Sequence, residues 1–109
     1  MTTARPQRLK IAGRRWAVQY KRRPEGNAYG LCDYDAHTIT IRDRQLPIEE
    51  ADTLIHETLH AIIGAAGIVF PEGVAEEQVV TAIASGLTGV LADNPRLLAH
   101  ISNLLREQT

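Results

Sequence analysis

The chain of 109 residues has a single cysteine, Cys32, so it cannot close an intramolecular disulfide and fits a reducing compartment. No histidine at helical spacing accompanies Cys32, which reads as a small strand residue rather than a nucleophile. Long hydrophobic runs are missing too. The opening Met1 to Pro6 lacks the apolar stretch of a signal peptide, and the longest later run, Ala61 to Phe70, is too short and too glycine-rich to span a bilayer. These absences predict a cytoplasmic protein with no membrane partner. Acidic residues are absent from the first quarter: Arg5, Arg8, Lys10, Arg14, Arg15, Lys21, Arg22 and Arg23 all precede the first carboxylate, Glu25. That segregation reads either as a face for nucleic acid or as a solvated hairpin balancing an acidic remainder, and the second reading is favoured. No internal repeat or low-complexity stretch divides the chain, so residues 1–109 are expected to form one domain, near the lower limit for a sizeable core.

What is present reads as α+β. Arg8 to Ile11 and Arg15 to Tyr20 alternate apolar with polar residues around Gly13-Arg14, the pattern of a β-hairpin. Pro24, Gly26 and Asn27 mark a connection. Tyr29 to Tyr34 and Thr38 to Arg42 form a second strand pair with His37 at its solvated tip, which completes a small antiparallel sheet of about four strands. Three helices should follow. The first begins at Leu46-Pro47, with Glu49, Glu50 and Asp52 complementing the positive end of its dipole, and stops between Gly64 and Gly67. The second spans about Val74 to Ala92, with Val79, Val80, Ile83, Leu87, Val90 and Leu91 as its apolar stripe. After Asp93-Asn94-Pro95, the residues Leu97, Leu98, Ile101, Leu104 and Leu105 define a final amphipathic helix, with His100 off the stripe.

The first helix carries the chemistry. His56-Glu57-Thr58-Leu59-His60 places two imidazoles four residues apart, hence on one face and one turn apart, with Glu57 pointing about 100° away around the axis. Two neutral imidazoles can supply two corners of a tetrahedral zinc site, and the glutamate can act as general base on a water in the open position. Leu54, Ile55, Leu59, Ile62 and Ile63 surround the motif, so the helix is expected to be buried on most of its circumference. A catalytic zinc needs a third protein ligand. The places three and six residues after His60 hold Ile63 and Ala66, which excludes a glycine-then-histidine continuation. Glu76 and Glu77, at the start of the second helix, are the remaining candidates.

The chain resembles the small bacterial and phage metallopeptidase-like proteins of the ImmA/IrrE and SprT-like zincin type. The likeness runs from Tyr29-Gly30-Leu31-Cys32-Asp33-Tyr34 through Leu54 to His60, Glu76-Glu77-Gln78-Val79-Val80 and Leu91-Ala92-Asp93-Asn94-Pro95. It implies a minimal zincin-like fold, Zn2+ as cofactor, His56 and His60 as ligands, Glu57 as catalytic base and one of the pair Glu76 and Glu77 as third ligand. It also implies a peptide or protein substrate. The sequence departs from SprT proper, which uses a third histidine, and from longer ImmA/IrrE proteins. Adjacent helical residues diverge by about 100°, so only one of the two glutamates is expected to face the motif helix. Glu76 lies in line with Val80, Ile83 and Leu87, whereas Glu77 shares a face with Thr81, Ala84 and Thr88. Those small side chains admit a close helix approach, which favours Glu77 and leaves Glu76 as the alternative. Tyr20, Tyr29, Tyr34 and His100 are candidates to stabilise an oxyanion by side-chain chemistry alone. The leading expectation is a zinc metallopeptidase. The alternative is a non-catalytic zinc-binding phage or prophage accessory module of the same fold, with the basic hairpin as its contact to nucleic acid.

Overall fold

The computed structural model describes residues 4–107; residues 1–3, which belong to the opening segment read above for a signal peptide, and residues 108–109 lie outside the described residues. Four strands are followed by three helices: β1 (Arg8–Ile11), β2 (Arg14–Lys21), β3 (Gly30–Asp33), β4 (Thr38–Arg42), α1 (Pro47–Ala66), α2 (Glu76–Asp93) and α3 (Pro95–Glu107). A single 3-10 turn, Glu25–Asn27, interrupts the link from β2 to β3. The architecture is therefore α+β, as expected. The β1–β2 hairpin closes through Ala12 and Gly13, both with positive φ (51° and 80°), a two-residue turn whose twist matches that of the strands it joins.

One pairing differs from the expected antiparallel sheet. The strand order is β1-β2-β4-β3, and β2 runs parallel to β4, with Val18 beside Ile39 and Tyr20 beside Ile41. The sheet is mixed: two antiparallel hairpins joined edge to edge by a parallel ladder. The hairpin signals in the sequence are local and correct for β1–β2 and β3–β4, but nothing local specifies how one hairpin meets the other.

Alternation along the strands makes one apolar face. Ile11, Trp16, Val18, Ile39 and Ile41 point inward and, with Ala61 of α1, form the buried core, against which Leu9, Tyr20, Cys32 and Leu54 pack. α1 covers this face. Its first turn holds Pro47 at a position that needs no N–H, and the Leu46 N–H donates to the Glu49 carboxylate at 3.4 Å. Its end is set by Gly67 at φ 68°, where the Gly67 and Ile68 N–H groups donate to the carbonyls of Gly64 and Ile63. Arg5 ties the chain start to this layer through ion pairs with Asp43 (2.9 Å) and Glu50 (3.0 Å), lying 3.7 Å above the Tyr20 ring.

The helices differ in how much they bury. α1 buries Thr53, Glu57 and Ala61 and half-buries the rest of Glu50 to His60, so the motif is enclosed on most of its circumference as expected, while Ile62 is exposed. α2 buries Val80, Ala84 and Thr88, while Ile83, Leu87 and Val90 of the expected stripe face outward. The small residues win because they let α2 settle closely on α1. α3 begins at Pro95 as expected, yet none of its residues is buried.

These positions set unequal sensitivities. Truncating the fully buried Ile39 to alanine is expected to lower unfolding free energy by about 2–5 kcal/mol. Ile83→Ala, on the outer face of α2, should change it by less than about 1 kcal/mol, as read by urea denaturation.

Candidate metal centre

α1 and α2 bring four side chains together beside the β3 edge of the sheet. His56 and His60 project from the same side of α1 with ring centroids 5.0 Å apart. α2 starts opposite them. Glu77 Oε1 lies 2.7 Å from His56 Nε2 and 2.8 Å from His60 Nε2, so one carboxylate oxygen bridges both imidazoles. One donor atom from each of His56, His60 and Glu77 fits within 4.8 Å of the others, a group that could hold a metal ion. Two imidazoles and a carboxylate are the donor types of a zinc site, and small adjustments of the three side chains would let them hold an ion.

Glu76 reaches the site as well. Its Oε2 accepts from His60 Nδ1 at 2.6 Å, on the ring side away from Glu77. The expectation that only one of the two glutamates faces α1 is corrected: Glu77 reaches both Nε2 atoms and Glu76 reaches His60 Nδ1, so both side chains extend to the imidazoles of α1. Their roles differ. Glu77 meets both Nε2 atoms, while Glu76 holds the far nitrogen of one ring, the arrangement that fixes the tautomer and orientation of a metal-binding histidine.

With carboxylates at both ring nitrogens, His60 is arranged as an imidazolium. Partial burial pulls its pKa down, but the hydrogen bonds to Glu76 and Glu77 outweigh this and leave it above the ordinary value. Glu77 shows the converse. Desolvation pushes its carboxyl upward, the bonds and charges of His60 and His56 pull it down, and the net is a lowered pKa. An ion held by His56, His60 and Glu77 would replace the hydrogen bonds among them while the contact of His60 Nδ1 with Glu76 could remain.

Glu57 sits deeper than either histidine, on the buried stripe of α1, at 6 % exposure. Desolvation raises its pKa and the neighbouring histidines offset only part of the rise, which moves the group towards the range useful to a general base. Its burial depends on β3. A Cβ at Gly30 would stand 2.6 Å from Thr53 Cγ2 and 2.9 Å from Glu57 Oε2, so only glycine lets the strand lie this close to α1. This residue was not singled out above, although a glycine inside a strand is the signal for such an approach. Thr53 is fixed in turn, donating from Oγ1 towards Gln45 Oε1 and the Glu49 carbonyl, each at 2.9 Å.

Two clefts flank the group. The larger, ≈ 470 Å³, is lined by Tyr29, Gly30, Asp52, His56, Glu57 and Glu77, and the smaller, ≈ 350 Å³, by Cys32, Tyr34, Glu57, His60 and Glu76 among others. Of the four oxyanion candidates, Tyr29 and Tyr34 line these clefts. Tyr20 donates its hydroxyl to the Pro6 carbonyl, and His100 lies on α3, so neither lines them. His37 stacks on Trp16 at 4.9 Å.

No protein-family model, curated protein or solved structure matches the chain. Among the described residues, no helix is long and apolar enough to cross a membrane.

Two outcomes test this geometry. Gly30→Ala should destabilise the protein by about 1–3 kcal/mol, because Thr53 and Glu57 must move aside; a thermal melt or urea titration reads the loss. Burial, with Glu57, Asp33 and Glu76 nearby, pushes the Cys32 thiol up to about 11. At pH 8 iodoacetamide should therefore alkylate it about a hundredfold more slowly in the folded protein than in urea.

Proposed function

We propose that the protein is a zinc-dependent metallopeptidase in which His56, His60 and Glu77 hold the ion and Glu57 is the general base. The supporting observation is the convergence of three donor atoms within 4.8 Å beside a buried carboxylate of raised pKa. A zinc ion held there would lower the pKa of a water and polarise a peptide carbonyl. Glu57 would be the residue that takes a proton from a water adding to the carbonyl carbon and returns it to the amine that leaves as the C–N bond breaks. Its adjacency to His56 in sequence and its seat against Gly30 keep it beside the donors without making it one of them.

The substrate in this reading is an extended peptide. β3 pairs with β4 on one side only, so its other edge presents backbone donors and acceptors along the clefts. A peptide added there as a further strand would pass the site, with alternate side chains entering the clefts. Glu49 and Asp52 line the larger one and favour basic side chains. Tyr29 and Tyr34, which line the clefts, are the candidates to support a developing oxyanion.

Metal analysis of protein purified without chelator should give about one zinc per chain, and His56→Ala, His60→Ala or Glu77→Ala should abolish it. Glu76→Gln should weaken affinity by about 10- to 100-fold while leaving the ligand set complete. Glu57→Gln should keep the metal and lose cleavage of a peptide library, in which the wild type cuts near Lys or Arg. Zinc bound by the wild type with no cleavage of any peptide or protein would favour the non-catalytic accessory module; no uptake of zinc would end the reading altogether.

A further inference from the structure

The first 23 residues hold eight of the chain's twelve Lys and Arg and none of its thirteen Asp and Glu. The sheet sorts these charges by face. Because Leu9, Ile11, Trp16 and Val18 point to the core, the intervening Arg8, Lys10, Arg15 and Lys21 emerge on the opposite side, where all four are exposed. α1 lies on the other face, and α2 rests on α1. Among the described residues only Arg5 of the eight is in an ion pair with a carboxylate.

Two features go beyond a solvated strand. Lys10 sits directly opposite Arg15 in the β1–β2 ladder, and Lys21 opposite Arg42 in the parallel one. Like charges across a pair destabilise the sheet by about 0.2–1 kcal/mol each, where an acid at one of the two places would have stabilised it. The middle of the face is also small and neutral. Ala17, Gln19, Thr38 and Thr40 occupy it, Gln19 Nε2 donates to Thr40 Oγ1 at 2.8 Å, and a depression of ≈ 560 Å³ opens over Gln19, Lys21, Thr38 and Thr40, with Glu25, Leu31 and Asp33 on the side away from β1. The face is a polar trough with a cationic flank, and an anionic polymer laid along it would relieve the like-charge contacts.

We propose that this outer face of the sheet binds the phosphate backbone of a nucleic-acid duplex without reading its sequence. Arg15 and Lys21 are six residues apart on β2, so the basic side chains extend over about 20 Å, roughly six nucleotide steps along one strand. The side chains present choose among polyanions. Trp16 and Tyr20 face the core, and Tyr34, which borders the depression, packs its ring against Trp16 and His37, so β1 and β2 offer bases no ring to stack on, which disfavours single strands. Neither strand offers a large apolar side chain on this face to enter a lipid interface, which disfavours an anionic membrane. The metal group lies on the helical side of the sheet, so a duplex on the outer face leaves both clefts open.

The test is fluorescence anisotropy of the full chain with a labelled 20-base-pair duplex of mixed sequence, from 50 to 300 mM salt. Expected is binding at 50 mM salt with a log–log salt slope of about −4, for four phosphate contacts. The double substitution Lys10→Gln/Arg15→Gln should reduce that slope by about 2 and weaken binding at least tenfold. Arg8→Gln/Lys21→Gln should do the same, so a folding failure of either variant, checked by its thermal melt, leaves the other to decide. Glu57→Gln should bind as wild type, which separates this face from the proposed peptidase site. The proposal is overturned by no binding at 50 mM salt, by folded double variants that bind as wild type, by tighter binding to a single strand of the same length, or by sedimentation with phosphatidylserine vesicles in the absence of duplex binding.

Discussion

The close seating of α2 on α1 governs the rest of the molecule. It is made by small side chains, with Ala84 and Thr88 buried alongside Val80, and it brings carboxylates at the start of α2 within 2.6–2.8 Å of imidazoles on α1. Larger residues at 84 and 88 would hold the helices apart, and short glutamate side chains cannot span the added distance. The larger apolar residues Ile83, Leu87 and Val90 are turned outward as a consequence. Helical stability and site geometry thus compete for the same face, and the geometry has the inner side.

A second close approach completes the site from below. Gly30 lets β3 lie against Thr53 and Glu57, and Gly64 lies beside the Tyr34 ring, where a Cβ would stand 2.8 Å from Cδ1. One glycine is on the strand and the other on the helix, so sheet and α1 each yield a side chain where they meet. Glu57 is desolvated by that contact, whereas its neighbours His56 and His60 stay half-buried and open to the clefts. One helical turn therefore presents imidazole nitrogens towards the clefts and a carboxyl group towards the core.

Much of this was legible in the sequence because the signals are local. Alternation around Gly13 gives the first hairpin, Pro47 and Pro95 give helix starts, and the four-residue spacing of His56 and His60 gives a shared face. The parallel meeting of β2 with β4 was not legible, since both hairpins are satisfied internally whichever edges join. Nor was the face of α2: counting apolar residues favours Ile83 and Leu87, but contact distance, which the sequence does not display, favours Ala84. The pair Glu76 and Glu77 was read as a choice between two residues, whereas both flexible carboxylates at the start of α2 reach the imidazoles. Gly30 left a trace, a glycine inside a strand, that pointed to backbone proximity without naming its neighbour.

The donors of the metal group are all drawn from one helical hairpin, with His56 and Glu77 21 positions apart. Strands β2 and β4 close over the same separation, from Ala17 to Thr38. The chain therefore folds through two short closures of equal reach, one in each half, and the entropy lost in either is modest. Apolar residues drive the sheet closure by themselves. The helical closure has only Val80, Ala84 and Thr88 behind it, so an ion at the donors would act as a clasp for that half, holding α2 against α1.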